Sequence, residues 1–222
     1  MRRAALSAVI AITALSSPGL LFASPSGLNN IPTADFTPDG VLVLQTYSFS
    51  QSGAKTTGFL GAKYGLGDGI EVGADGQLAA SPTGPLTLQA KKTWPVEDAR
   101  IKLCLGIANI TADTGENPLY PYGVVGAKLC GQSRGHLGFA PQKGNHEWLL
   151  GYDYTLSGGT MLRTDVVRGI SADNKHTLYS LGGLMPTKFG AVEGWVTRAI
   201  NNSPGGSDAT VYTLKLDYAF QP

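Results

Sequence analysis

Many of the ionisable residues of this chain recur at alternate positions, so that most short segments carry charges mainly on one side. Lys63, Glu71 and Asp75 share a side of two segments joined by "GDG", and Lys91, Lys102 and Lys128 follow the same rule further on. Glu147, Asp153, Arg163, Asp165, Glu193, Lys215 and Asp217 continue it to the end of the chain. If the turn at 67–69 sets residue 65 opposite 71, Lys63 lies diagonal to Glu71 and two pairs from its neighbour Asp75. If the turn at 157–159 sets 155 opposite 161, Asp153 faces Arg163. Cross-strand neighbours lie roughly 5–8 Å apart. Charges so placed can line a wet passage and tune which solutes pass, or neutralise one another and close it.

Other chemistry is sparse. Cys104 and Cys130 fall on the charged side of neighbouring segments, and a hairpin centred near residue 117 would set them opposite each other. In an oxidising periplasm they would then form a disulfide; the alternative is two free, buried thiols. Two cysteines without a convergent histidine motif make no zinc site, so no metal and no cofactor is expected. His136, His146 and His176 are the only histidines. His146, in "KGNHEW", sits beside Glu147 at a loop edge, but a hydrolase also needs a serine and an orienting partner within reach. No Gly-x-Ser-x-Gly passage occurs, so no catalytic residue is assigned and the chain is not expected to be an enzyme.

The segments that carry these charges are strands. Of 222 residues, 42% are hydrophobic, 15% charged and 30 are glycine, the last about twice ordinary usage. A net charge of +1 without a basic run excludes nucleic acid as a partner. Residues 1–23 read as a signal peptide: Arg2 and Arg3, then "AALSAVIAITAL", then a small residue, Ala23, before the cut. Beyond residue 24 no helical period holds. About twelve two-sided segments follow instead, at 40–50, 56–66, 70–79, 86–95, 101–111, 120–131, 135–141, 146–156, 160–168, 176–185, 188–198 and 209–220. Connectors after odd segments, such as "ADTGENPL" and "NNSPGGSD", are mostly longer than those after even ones, such as "GDG" and "SGG". An up-and-down barrel in the outer membrane sorts its loops in this way; a soluble β-sandwich, the rival, has no reason to.

Aromatic placement favours the barrel. In "VYTLKLDYAF", residues 211–220, one side is wholly Tyr, Leu or Phe. Tyr64, Trp94, Tyr154, Tyr218 and Phe220 fall at the periplasmic ends of their strands, and Tyr47, Phe49, Trp148 and Tyr212 near the outer ends. Two such girdles around an apolar band suit a bilayer. The expected fold is all-β, an antiparallel up-and-down transmembrane β-barrel over 40–222 with about twelve strands, embedded in outer-membrane lipid. It would have ten strands if the short seventh segment failed with a neighbour. Residues 24–39, with prolines at 25, 32 and 38, form a periplasmic lead or a plug in the lumen.

Two passages resemble known proteins. "YGLGDGIEVGA", 64–74, is similar to a hairpin common in Gram-negative outer-membrane barrels. "SGLNNIPTADFTPDGVLVL", 26–44, resembles the Gly-Leu-x-x-x-Pro-Thr-Ala opening of YjbH-like barrels. The latter resemblance implies a link to exopolysaccharide production, with envelope polysaccharide or its export machinery as partner. The chain's end resembles a barrel assembly signal, with Phe220 followed by Gln221 and Pro222. The functional expectation is passive passage of small polar solutes or an accessory part in polysaccharide export. Its rival is a structural envelope barrel whose interior is plugged by its own charges.

Overall fold

The computed structural model describes residues 27–51, 56–78, 86–96, 98, 100–110, 119–141, 146–170, 176–201 and 208–221. The signal peptide expected at 1–23, its expected cut near Ala23 and most of the longer connectors lie outside these residues.

Alternating side chains between turn-forming clusters give β1 (Leu42–Gln51), β2 (Thr57–Gly67), β3 (Ile70–Leu78), β4 (Thr87–Val96), β5 (Ile101–Ile110) and β6 (Tyr120–Lys128). The remaining strands are β7 (Ser133–Ala140), β8 (Glu147–Thr155), β9 (Met161–Gly169), β10 (His176–Thr187), β11 (Gly190–Asn201) and β12 (Ala209–Phe220). Each strand pairs antiparallel with its neighbours in sequence, and β1 pairs with β12 from Leu42↔Phe220 to Gln51↔Val211, closing a twelve-stranded up-and-down barrel. Closure removes every sheet edge. The short seventh segment is a full member: β7 pairs along its length with β8. The segment around Asp75-Gly76 runs straight through β3 rather than turning.

The even connectors are tight. Between β2 and β3, Gly67 (φ 101°), Asp68 (φ 52°) and Gly69 (φ 74°) all take left-handed backbone. A Cβ on Gly69 would also lie 2.4 Å from the Thr93 carbonyl oxygen, so sterics and conformation both demand glycine there.

Sidedness is sharp. Along β12, Leu214 and Leu216 are 55% and 46% exposed, whereas Thr213 and Asp217 are 5% and 6% exposed. The outer wall carries Leu60, Leu105, Leu137, Leu150 and Leu181, all more than half exposed. The interior holds the polar residues, and a continuous stretch of chain besides. Eight strands enclose just enough space for their own side chains, and sixteen or more leave a channel. Twelve leave a gap, and residues 27–41 occupy part of it. Leu28, Ile31 and Ala34 from this lead pack with Cys104, Tyr122, Val124, Ala140, Leu149 and Val167, which project inward from β5 to β9.

Candidate functional site

The lumen has two unlike sides. The β5–β9 arc carries an apolar cluster set among paired charges, and the lead lies against it. Glycines carve the seat: a Cβ on Gly151 would come within 2.4 Å of Leu28 Cδ1 and 2.7 Å of Ile31 Cδ1, and one on Gly126 would touch Ala34 Cβ at 3.5 Å.

Polar contacts fix the lead along its length. Near its tip the Asn30 backbone N–H donates to Asp165 Oδ2 (3.1 Å), and Asn30 Nδ2 donates to Thr197 Oγ1 (2.9 Å) and to Ser180 Oγ. Asp35 accepts from Arg134 Nη1 (2.7 Å) and Lys102 Nζ (3.1 Å). Thr37 donates through both its backbone N–H (2.7 Å) and its hydroxyl (2.8 Å) to Glu71 Oε2, while Lys91 Nζ donates to the Thr33 carbonyl (3.2 Å). Burial alone would raise the Asp35 carboxyl; Arg134 and Lys102 outweigh it and hold it below the usual aspartate range.

The strand charges form chains rather than isolated pairs. Arg163 Nη1 donates to Glu193 Oε2 (2.6 Å), and Lys215 Nζ bridges Glu193 Oε1 (3.0 Å) and Asp217 Oδ2 (3.3 Å). Gln45 Nε2 donates to Asp217 Oδ1 (2.8 Å). Arg134 and His136 converge on Asp153, with Arg134 Nε and Nη2 and His136 Nε2 each 2.9 Å from a carboxylate oxygen. Tyr120 donates to Glu147 (3.0 Å) and His176 lies 3.4 Å from its other oxygen. Buried charges persist only where such pairing offsets their desolvation.

Glu71, Lys91, Glu147, Asp153, Arg163, Asp165, Glu193 and Asp217 are buried in the interior. Lys63, Asp75, Lys102 and Lys215 are partly buried there, and Lys128 is exposed beside Arg100 and Arg134 at the periplasmic mouth. Both expected registers hold, but the ion partners are set by other strands. Gly65 does sit opposite Glu71, but the ion partner of Glu71 is Lys91, directly across on β4 (3.8 Å), not Lys63. Asp153 does face Arg163, yet bonds Arg134 on its other flank and leaves Arg163 to reach Glu193, two strands away. His146 is exposed, its ring 6.0 Å from that of Phe139.

Two expectations fail outright. Cys104 and Cys130 are both free. The β5–β6 register sets Cys104 opposite Val124, six positions short of Cys130, which lies past the end of β6 in an exposed turn. Tyr47 and Phe49 belong to no outer girdle, because both face the lumen. Tyr47 donates to Asp75 Oδ1 (3.3 Å), and its ring stacks on Phe59 at 5.0 Å with 5° between planes. The cause is strand parity: Gln45, bonded to Asp217 inside, shares a side with both. The other girdle residues project outward. Trp94, Tyr154, Trp148, Tyr212 and Tyr64 are exposed, with Tyr152 and Tyr179 beside them unforeseen. Tyr218 and Phe220 pack at 4.4 Å at the chain's end, with Phe189 stacked on Tyr218 at 6.0 Å.

Above the lead, toward the outer end, lies an open vestibule of about 370 Å³. Tyr47, Phe49, Tyr120, Tyr122 and Trp195 form its walls together with Lys63, Asp75, Gln89 and Lys215, and Asn29 and Asn30 form its floor. A second space of about 40 Å³ opens below, ringed by Asp35, Arg100, Lys102, Lys128 and Arg134.

No protein-family model and no curated protein sequence matches the chain. Solved structures do. A KdgM porin in complex with disordered oligogalacturonate aligns with TM-score 0.64 and 12% identity, over 80% of this chain and 99% of that one. The COG4313 outer membrane channel from Pseudomonas putida F1 aligns with TM-score 0.62 and 15% identity, over 83% and 97%. The NanC porin gives 0.58 and 9%, over 79% and 98%. The fold of this chain is thus that of small outer-membrane channels.

Proposed function

We propose that the chain, folded as small outer-membrane channels are, is itself an outer-membrane channel that passes small polar solutes passively through a lumen narrowed by its own lead. One observation carries the reading: a polar, charge-balanced interior with an open vestibule sits inside a wall whose other face is leucine and aromatic. An apolar outer face of this extent needs hydrocarbon around it, so lipid is the partner and the outer membrane the location. Among the similar structures, one porin holds oligogalacturonate; for this chain the corresponding solute class is small and polar.

Purified protein in planar bilayers tests the proposal. Small steady conductance is expected from the full chain, and a several-fold larger one after removal of residues 24–39. No current from either form, with the barrel shown folded by heat-shifted gel mobility, overturns it.

A second reading, a structural barrel with a blocked interior, is favoured by the fitted seat of the lead and by the separation of the two cavities. It predicts current only from the shortened chain. An accessory part in polysaccharide export rests on the YjbH-like opening. The residues that carry that likeness, from Gly27 to Ala34, already have a structural task in docking the lead.

A further inference from the structure

The vestibule holds more aromatic surface than a water-filled passage needs. The interior of a porin-type barrel is ordinarily polar, yet β1, β6 and β11 each send aromatic rings into the same space. Tyr47 is covered on one face by Phe59 and Tyr122 is buried, but Phe49, Tyr120 and Trp195 are only partly buried. Ring surface left to water loses the stabilisation that apolar contact would give it. It is satisfied by a solute that has an apolar face of its own.

The polar groups between the rings say what the edge of that solute must carry. Asn29 Nδ2 donates to the Arg163 carbonyl (3.4 Å), Asn30 Nδ2 to Thr197 and Ser180, and Gln89 Nε2 to Asp75 (3.1 Å). Each amide commits at least one N–H to the wall, and its carbonyl oxygen accepts no hydrogen bond among the described residues. The hydroxyls of Tyr47 and Tyr120 likewise donate to wall carboxylates. Between the rings the vestibule therefore offers three amide carbonyl acceptors, and a solute that meets them must bring donors. A carboxylate brings none.

Charge gives the same answer. Lys215 is neutralised by Glu193 and Asp217, and Lys63 sits among Glu71 and Asp75 as well as Lys91 and Lys215. No unbalanced cation remains among the described residues of the vestibule to select an anion.

The geometry points to the vestibule as a binding site for the ring of a neutral polyhydroxylated solute, a pyranose, with aromatic groups against its faces and the amide carbonyls of Asn29, Asn30 and Gln89 accepting from its hydroxyls. A volume of about 370 Å³ is within the usual range for small-ligand sites. The assignment deepens the channel reading by naming the solute class and rests on it for its physiological meaning. Binding itself needs no conduction.

The test is a tryptophan-fluorescence titration of the folded chain in detergent, with Trp195 as reporter and equilibrium dialysis of labelled sugar as a second measurement. Three probes are compared: methyl α-D-glucopyranoside, the open-chain sorbitol and the charged glucuronate. Saturable binding of the pyranoside is expected, at least about tenfold tighter than either of the others. Gln89→Leu should weaken it about tenfold and Tyr47→Ala at least as much, with folding of each variant checked by heat-shifted gel mobility. If one variant fails to fold, the three-probe comparison on the unaltered chain still decides. Absence of saturable binding, an equal response to sorbitol, or tighter binding of glucuronate overturns the site. Current without sugar binding removes the site and leaves the channel; sugar binding without current removes the channel and leaves the site.

Discussion

At the scale of single residues, the interior depends on pairing. Arg163 and Glu193 have side chains only 4% and 3% exposed, and losing Arg163 leaves the buried Glu193 carboxylate with Lys215 alone. Arg163→Leu is expected to destabilise the barrel by about 3 kcal/mol, read as an earlier unfolding midpoint in urea. The two thiols should behave oppositely: Cys130, exposed at a turn, reacts with a polar maleimide in the folded protein, and buried Cys104 does not. Gel mobility without heating should be the same with and without reductant. Asp35 gives a pH dependence. Its carboxyl is lowered on folding, so its contribution to holding the lead is full above the ordinary aspartate value, near 3.9, and is lost as pH falls below that through the folded value. Conductance should rise on acidification below about pH 4. In Asp35→Asn the lead is loosened already at neutral pH, so the acid-induced rise is smaller. Much at this scale could not be read from spacing. The turn at 67–69 is local and fixed the pairing of 65 with 71. The ion partner of Glu71 was chosen by β4, and that of Arg163 by β11. Tyr47 and Phe49 were misplaced because "LVLQTYSFSQ" carries apolar side chains on both sides, with only Gln45 to mark the wet one.

At the scale of elements, the strands were legible and the lead was not. Alternation and turn residues are short-range signals, and every segment read from them is a strand here, within a few residues at either end. Where 27–41 lies depends on a space that exists only once the barrel closes, and nothing local encodes that space. Its trace in the sequence is the pair of small residues that admit it, Gly126 and Gly151. Glycine within a strand equally marks a bulge or a bend at a barrel corner, so the pair alone does not reveal the seat. The seat can be filled without touching the lead. Gly151→Val places its Cβ against Leu28 and Ile31 and is expected to expel the lead while leaving the β8 ladder intact. Conductance should approach that of the chain lacking 24–39, with gel mobility unchanged.

At the scale of the whole molecule, the contrast between the two faces of one wall decides the solvent. Leu214 lies near the middle of β12, outward, opposite Gly194 and Ser48. Leu214→Arg would set a charge in hydrocarbon, at a cost of about 2–4 kcal/mol near the bilayer midplane, read from reversible folding into lipid vesicles. Thr213→Arg, one residue along, points into the lumen and should fold with far less penalty from lipid while narrowing the passage. Loop sorting and girdles made the barrel legible from sequence at this scale. The open or obstructed state of its centre was not, because both states use the same alternation.

The bonds that secure the tip of the lead join residues 134 to 167 positions apart in the chain. Contacts so distant in sequence form late, and here they also need β9, β10 and β11 already in place. A newly inserted barrel must therefore pass through an interval in which its wall is sealed but its stopper is still adrift. Cells that make this protein quickly should leak small dyes during that interval, and the leak should fade as each copy matures.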